Sequence, residues 1–191
     1  MQINPTAIQG VTEFIAKVYG DSRGSFAEAF RSESMVAAGY DFAITQVNTS
    51  VSQRGVLRGL HYAQLAPSQA KYVTCSMGTI LDVAVDIREG SATFGEVVTA
   101  ELSSQKRNAL FLAEGVGHAF LTMSDTATVT YLCSTGFNPT NEFGIHPLDP
   151  ELGIPWPQDL DFILSDKDKA APTLAAAREL GQLPKWSDLA R

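Results

Sequence analysis

The chain has 191 residues, 45% of them hydrophobic and 18% charged, with a formal net charge of −7 and a pI near 4.9. That length and apolar fraction suffice for one substantial core, and the most economical reading is a single domain over residues 1–191. The acidic balance excludes general binding to nucleic acid or to anionic membrane, since both need a basic footprint, so an anionic ligand would require a local basic pocket.

In chain order, short runs with period-two alternation, punctuated by Gly, Ser, Asp and Pro, predict strands at Val11–Tyr19, Phe42–Ser50, Val56–His61, Lys71–Ser76, Thr79–Ile87, Gly95–Leu102, Asn108–Leu112, His118–Met123 and Thr126–Cys133. A short helix is predicted at Ser32–Ala38, and a clearer one at Leu174–Leu180, entered through Pro172-Thr173 and closed by Gly181. No internal repeat, low-complexity tract or linker marks a second domain. The even strand spacing predicts an all-β sandwich or barrel. Cys75 and Cys133 each sit in an apolar, strand-like run. With neither a signal peptide nor an apolar stretch long enough to span a bilayer, they read as buried free thiols of a cytoplasmic protein.

The segment Gly55-Val56-Leu57-Arg58-Gly59-Leu60-His61-Tyr62, followed ten residues after its histidine by Lys71, sets a base beside cations within an apolar stretch. A histidine titrates near ~6.5 and can accept a proton at physiological pH. Lys71 offers a fixed positive charge for an oxyanion, and Arg58 a planar donor fork suited to phosphate. On the motif alone, a half-buried strand with its polar residues turned to solvent is an equally good reading. In Asp82-Val83-Ala84-Val85-Asp86 the two-residue period puts both aspartates on one face, either toward solvent or into a cavity. The three histidines, His61, His118 and His146, show no His-x-His pair or other ligand spacing, so no metal is expected.

A series of further segments accompanies that motif. They are Gly20-Asp21-Ser22-Arg23-Gly24-Ser25-Phe26-Ala27-Glu28, Gln46-Val47-Asn48-Thr49-Ser50, Asp82 to Arg88, and Ser91-Ala92-Thr93-Phe94-Gly95. Glu114-Gly115-Val116-Gly117-His118-Ala119-Phe120, Tyr131, Asp149-Pro150, Trp156-Pro157 and Leu164-Ser165-Asp166-Lys167-Asp168 follow. In order and spacing, over nearly the whole chain, they resemble the dTDP-4-dehydrorhamnose 3,5-epimerase family of nucleotide-sugar enzymes. The resemblance implies a cupin-like jelly roll with a few short peripheral helices, and a homodimer in the cytoplasm. The implied substrate is a dTDP-4-keto-6-deoxyhexose, whose C4 carbonyl acidifies the hydrogens at C3 and C5, so no redox cofactor is needed.

It implies His61 as the base, oriented by Asp168, with Lys71 stabilising the enolate oxygen and Tyr131 donating a proton from the opposite face. Without it, Tyr131 would read as core packing and Asp168 as part of a solvated charge run. Arg58 and Arg23 match substrate-contacting positions, and Gln46, Asn48, Glu28, Phe26 and Lys167 match further pocket positions. Arg23 and Glu28 are expected to act across a dimer interface. Asp82 is expected to pair with Lys71, His118 to face substrate, and His146 to be structural or exposed.

Three departures from the family pattern stand out. Phe137-Asn138-Pro139 replaces a tyrosine that stacks on the nucleotide, keeping the stacking face. The common Ala-His-Gly-Phe appears as Gly117-His118-Ala119-Phe120, and the aromatic before the Asp-Pro pair is lost in Ile145-His146-Pro147-Leu148-Asp149-Pro150. The second of these resembles mono-epimerases that invert only C3 or only C5, which leaves the number of inverted centres open. A non-catalytic sugar-binding cupin would not need His61, Lys71, Tyr131 and Asp168 together, and a metal-dependent cupin oxygenase would need the missing His-x-His.

Overall fold

The computed structural model of the chain describes residues 1–64 and 68–189. In chain order the elements are β1 (Gln2–Pro5), β2 (Val11–Ile15), β3 (Val18–Asp21), β4 (Gly24–Ala27), α1 (Ser32–Ala37), β5 (Gln46–Gln53), β6 (Leu57–Ala63), β7 (Lys71–Met77) and β8 (Thr79–Asp86). They continue as β9 (Val97–Ser103), β10 (Asn108–Leu112), β11 (Val116–Thr122), β12 (Thr126–Cys133), β13 (Glu142–Gly144), α2 (Asp166–Lys169), α3 (Leu174–Glu179) and α4 (Trp186–Leu189).

Two antiparallel sheets form a sandwich, one ordered β1-β2-β10-β7-β12-β5 and the other β13-β6-β11-β8-β9. Alternation along the strands assigns side chains to layers. Between the sheets lie Val73 and Cys75 of β7, Ile80 and Ala84 of β8, Phe120 of β11, and Ala127 and Val129 of β12. The opposite faces of β8 and β11 turn Val83, Val85, Ala119 and Leu121 outward, where Leu152, Trp156, Leu174, Ala177 and Leu183 of the C-terminal segment cover them. Phe14, Tyr72, Ala109 and Phe111 on the outer face of the first sheet pack against Met35 of α1. Each sheet is therefore covered over part of its outer face, β5 leaving Val47 and Val51 exposed, and the expected all-β, jelly-roll sandwich with short peripheral helices is observed.

The run expected as one strand at Val11–Tyr19 is two. Ala16 turns its N–H to the Arg107 carbonyl, and β3 leaves the sheet to pair only with β4 as a hairpin. The strand expected at Phe42–Ser50 begins at Gln46, because Phe42 packs as a loop residue against Phe30 and Phe111. β1, β4 and β13, each of three or four residues, are too short for an alternation signal.

Candidate active site

Six strands and one helix turn side chains into a cavity of about 320 Å³ between the sheets. From the first sheet come Asn48 and Ser50 of β5, Lys71 of β7, and Tyr131 and Cys133 of β12. Arg58 and His61 of β6 and His118 and Phe120 of β11 face them, with Glu142 of β13, Lys167 of α2 and the Phe137 ring completing the wall.

Regular alternation cannot put both Arg58 and His61 on one face, since they are three residues apart. A bulge does. Against β11, His61 pairs with His118 and Arg58 with Phe120, so β6 spends two residues, Gly59 and Leu60, where β11 spends one, Ala119. Leu57 and Leu60 then both reach the outer core. Gly59 has φ +113°, and a Cβ there would lie 2.5 Å from the His118 carbonyl oxygen, so a side chain at this position is excluded twice over.

Asp168 reaches His61 along a second path. Val56 and Ile163 form a parallel bridge, and five residues further along each segment His61 Nε2 meets Asp168 Oδ1 at 2.6 Å. Ser165 caps α2 by accepting from the Asp168 N–H, which fixes the aspartate in the first turn. Asp168 is buried, which alone would raise its pKa. Hydrogen bonds from His61, Ser165 and the Gly59 N–H, together with the His61 charge, outweigh burial and hold the carboxyl below the usual range. In the neutral tautomer whose Nε2–H donates to Asp168, Nδ1 of His61 carries the lone pair.

Across the cavity, Tyr131 Oη lies 3.3 Å from Ser50 Oγ. Burial pushes its pKa well above that of an ordinary tyrosine, so the phenol keeps its proton. Its ring stands edge-on to the His118 ring, with centroids 6.0 Å apart. Burial lowers the pKa of Lys71, opposed by the charges of Glu142, Cys133 and Asp82. Arg58 is held by Nε donating to Ser52 Oγ at 3.0 Å.

Asp82 does not pair with Lys71 as expected. It belongs to the same sheet as His118 and sits opposite Phe120, so its Oδ1 meets His118 Nε2 at 2.7 Å behind the cavity wall. His118 itself lines the cavity. Gln46 stands outside the wall and braces it. Its Nε2 donates to Asn48 Oδ1 at 2.7 Å, and its Oε1 accepts from the Phe137 N–H at 2.9 Å. The Phe137 ring is 62% exposed at the mouth. Arg23 and Phe26 lie on the β3–β4 hairpin and Glu28 just beyond it, and none of the three lines this cavity within one chain. Arg23 instead pairs with Asp21, and Glu28 with Arg31 at 3.6 Å. His146 is half-buried, its Nδ1 accepting from the Leu148 N–H.

Ser50, Phe120, Cys133 and Glu142 were not anticipated as wall residues. Ser50 follows from the alternation Gln46, Asn48, Ser50 along β5, whereas Glu142 lies on a strand of only three residues. A larger cavity of about 490 Å³ lies beside Tyr40, Phe42, Arg88 and Trp186, where Arg88 is already committed to Asp86. Among the described residues no group of three or more His, Cys, Asp or Glu side chains is placed to hold a metal ion, and no helix is long and apolar enough to cross a membrane.

Similarity to known proteins agrees with this arrangement. The family model for dTDP-4-dehydrorhamnose 3,5-epimerase matches residues 5–176. A dTDP-4-dehydrorhamnose 3,5-epimerase of Mycolicibacterium smegmatis is 47% identical over 189 residues, covering 98% of this chain and 93% of that one. Among solved structures, the Mycobacterium tuberculosis rmlC epimerase superposes with a TM-score of 0.96 at 44% identity, covering 99% and 96% of the two chains. ChmJ, a 3'-monoepimerase from Streptomyces bikiniensis in complex with dTDP-quinovose, gives 0.93 at 46%, covering 97% and 94%. The chain belongs to the dTDP-4-dehydrorhamnose 3,5-epimerase family.

Proposed function

We propose that the protein epimerises dTDP-4-dehydro-6-deoxy-D-glucose at C3 and C5 to give dTDP-4-dehydro-L-rhamnose. The observation that carries this reading is the His61–Asp168 contact of 2.6 Å on one wall of a cavity whose other wall presents a half-buried, protonated Tyr131.

The sugar lies between the two walls. His61 Nδ1 removes the proton from the carbon next to the C4 ketone, and Asp168 stabilises the imidazolium that forms. The electron pair moves onto the C4 oxygen, whose developing charge faces the Lys71 ammonium. Tyr131 then returns a proton to the opposite face of the same carbon, inverting it. Bond changes balance without electron transfer, because one proton leaves and one arrives at each centre. Arg58 and Lys167 bind the diphosphate, and Phe137 stacks on the thymine, its exposed ring at the cavity mouth suiting that task.

The functional unit is a single-domain homodimer. Among the described residues the β3–β4 hairpin pairs with no other strand, and it carries exposed Val18, Tyr19, Arg23 and Phe26, which suits insertion beside a neighbouring subunit's cavity. Arg23, Phe26 and Glu28 then complete the partner's site. A second reading, inversion at one carbon only, is favoured by the 46% identity to the 3'-monoepimerase.

Turnover in deuterated water separates the two. Double epimerisation places deuterium at both C3 and C5 by NMR, and labelling at one carbon overturns it. Tyr131→Phe keeps exchange on the His61 side while inversion is lost, and unimpaired inversion removes Tyr131 from the acid role.

A further inference from the structure

Glu142 is the only carboxylate on the cavity wall among the described residues. It starts β13, in register with Ala63 of β6, two residues before the Gly144 that pairs with His61. Lys71 lies on the facing sheet, in register with Cys133, and has no salt bridge among the described residues. An ammonium in such a place loses hydration and drifts toward the neutral amine, which cannot balance an oxyanion.

The other groups around Lys71 offset this less than Glu142 does. Arg58 and Lys167 are cations, and His61, His118 and Tyr131 carry no fixed negative charge. The Cys133 thiol, pushed up by burial, adds a charge only once it ionises, and Asp82, engaged with His118, adds less than Glu142.

We propose that Glu142 is a positioning residue whose carboxylate, acting through space, keeps the Lys71 ammonium charged where the enolate oxygen forms. This rests on the reading of Lys71 as the oxyanion partner. Glu142 touches no reacting atom, and its effect is on the protonation state of Lys71.

The test titrates Lys71 directly, by NMR of protein carrying lysine labelled with carbon-13 at Cε, the signal being assigned with Lys71→Met. Glu142→Gln lowers the Lys71 midpoint by about one pH unit, and Glu142→Asp restores most of it. In parallel, the alkaline limb of kcat/KM moves down by the same interval, giving about a tenfold loss above it and less than about twofold near pH 7. An unchanged Lys71 midpoint in Glu142→Gln overturns the inference, as does a loss of activity equal at every pH. Full activity of Lys71→Met would instead overturn the oxyanion assignment, while the titration would still decide whether Glu142 governs the charge on Lys71.

Discussion

Two aspartates on one strand, four residues apart and both fully buried, meet opposite fates. Asp86 accepts five hydrogen bonds, from the Arg88 N–H, Nε and Nη2 and from the Ser91 and Thr93 hydroxyls, at 2.6 to 3.1 Å. Although burial raises its pKa, these donors and the Arg88 charge hold it below the usual range. Among the described residues Asp82 has one hydrogen-bond partner, His118 Nε2, and its Oδ2 has none. There burial prevails over His118 and Lys71, and the pKa is raised. At the Asp86 end every lone pair serves the fold, with Arg88 also donating to the Gln9 carbonyl and stacking on Trp186 at 4.6 Å. At the Asp82 end the fold tolerates an unsatisfied carboxylate behind the cavity. Unsatisfied polar groups cost stability, and here the cost falls beside the groups proposed to move protons.

The contrast predicts that substitutions at the cavity end affect turnover and those at the Asp86 end affect folding. The largest effect is expected for His61→Ala, with turnover down about 10²–10⁴-fold while calorimetric dTDP binding and the melting temperature hold. A wild-type rate would remove His61 from the base role. Next is Arg88→Ala, which leaves Asp86 buried without its counter-charge and should cost about 3–5 kcal/mol in urea unfolding. A loss below about 1 kcal/mol would erase the distinction between the two ends. Asp82→Asn should cost about tenfold in kcat, since His118 loses its charged partner, yet change stability by less than about 1 kcal/mol because an unsatisfied charge goes with it. Destabilisation as large as that of Arg88→Ala would make Asp82 structural.

The smallest effect is on acid stability, where the two aspartates act with opposite sign. Asp86 has a depressed folded-state pKa, so its stabilisation is present above its unfolded value and is lost as pH falls through the folded one. Asp82 has a raised pKa, so it weighs against folding as pH rises through its window. Urea unfolding between about pH 3 and 6 should therefore show a shallower acid loss in Asp86→Asn and a steeper one in Asp82→Asn. Equal slopes would break the comparison.

Much of this was legible beforehand. Alternation located most of the long strands, and the caps Thr173 and Gly181 bounded α3. The same alternation placed Asp82 and Asp86 on one face, but only packing showed that face to be buried. Ser165, three residues before Asp168, also announces a helix start, although by itself the surrounding charge run reads as solvated.

Sequence by itself determined the strand periods, the balance of charge that restricts anions to a local pocket, and the types of residue available for proton transfer. Those are local properties, set by each residue and its near neighbours along the chain. Tertiary structure alone decided which groups meet. His61 and Asp168 are 107 residues apart and come together because a segment runs parallel to β6 from the Val56–Ile163 bridge. Arg58 and His61 share a wall only because β11 leaves room for a bulge at Gly59 and Leu60. Asp82 takes His118 rather than Lys71 because sheet membership, which no local pattern encodes, puts the lysine on the facing layer.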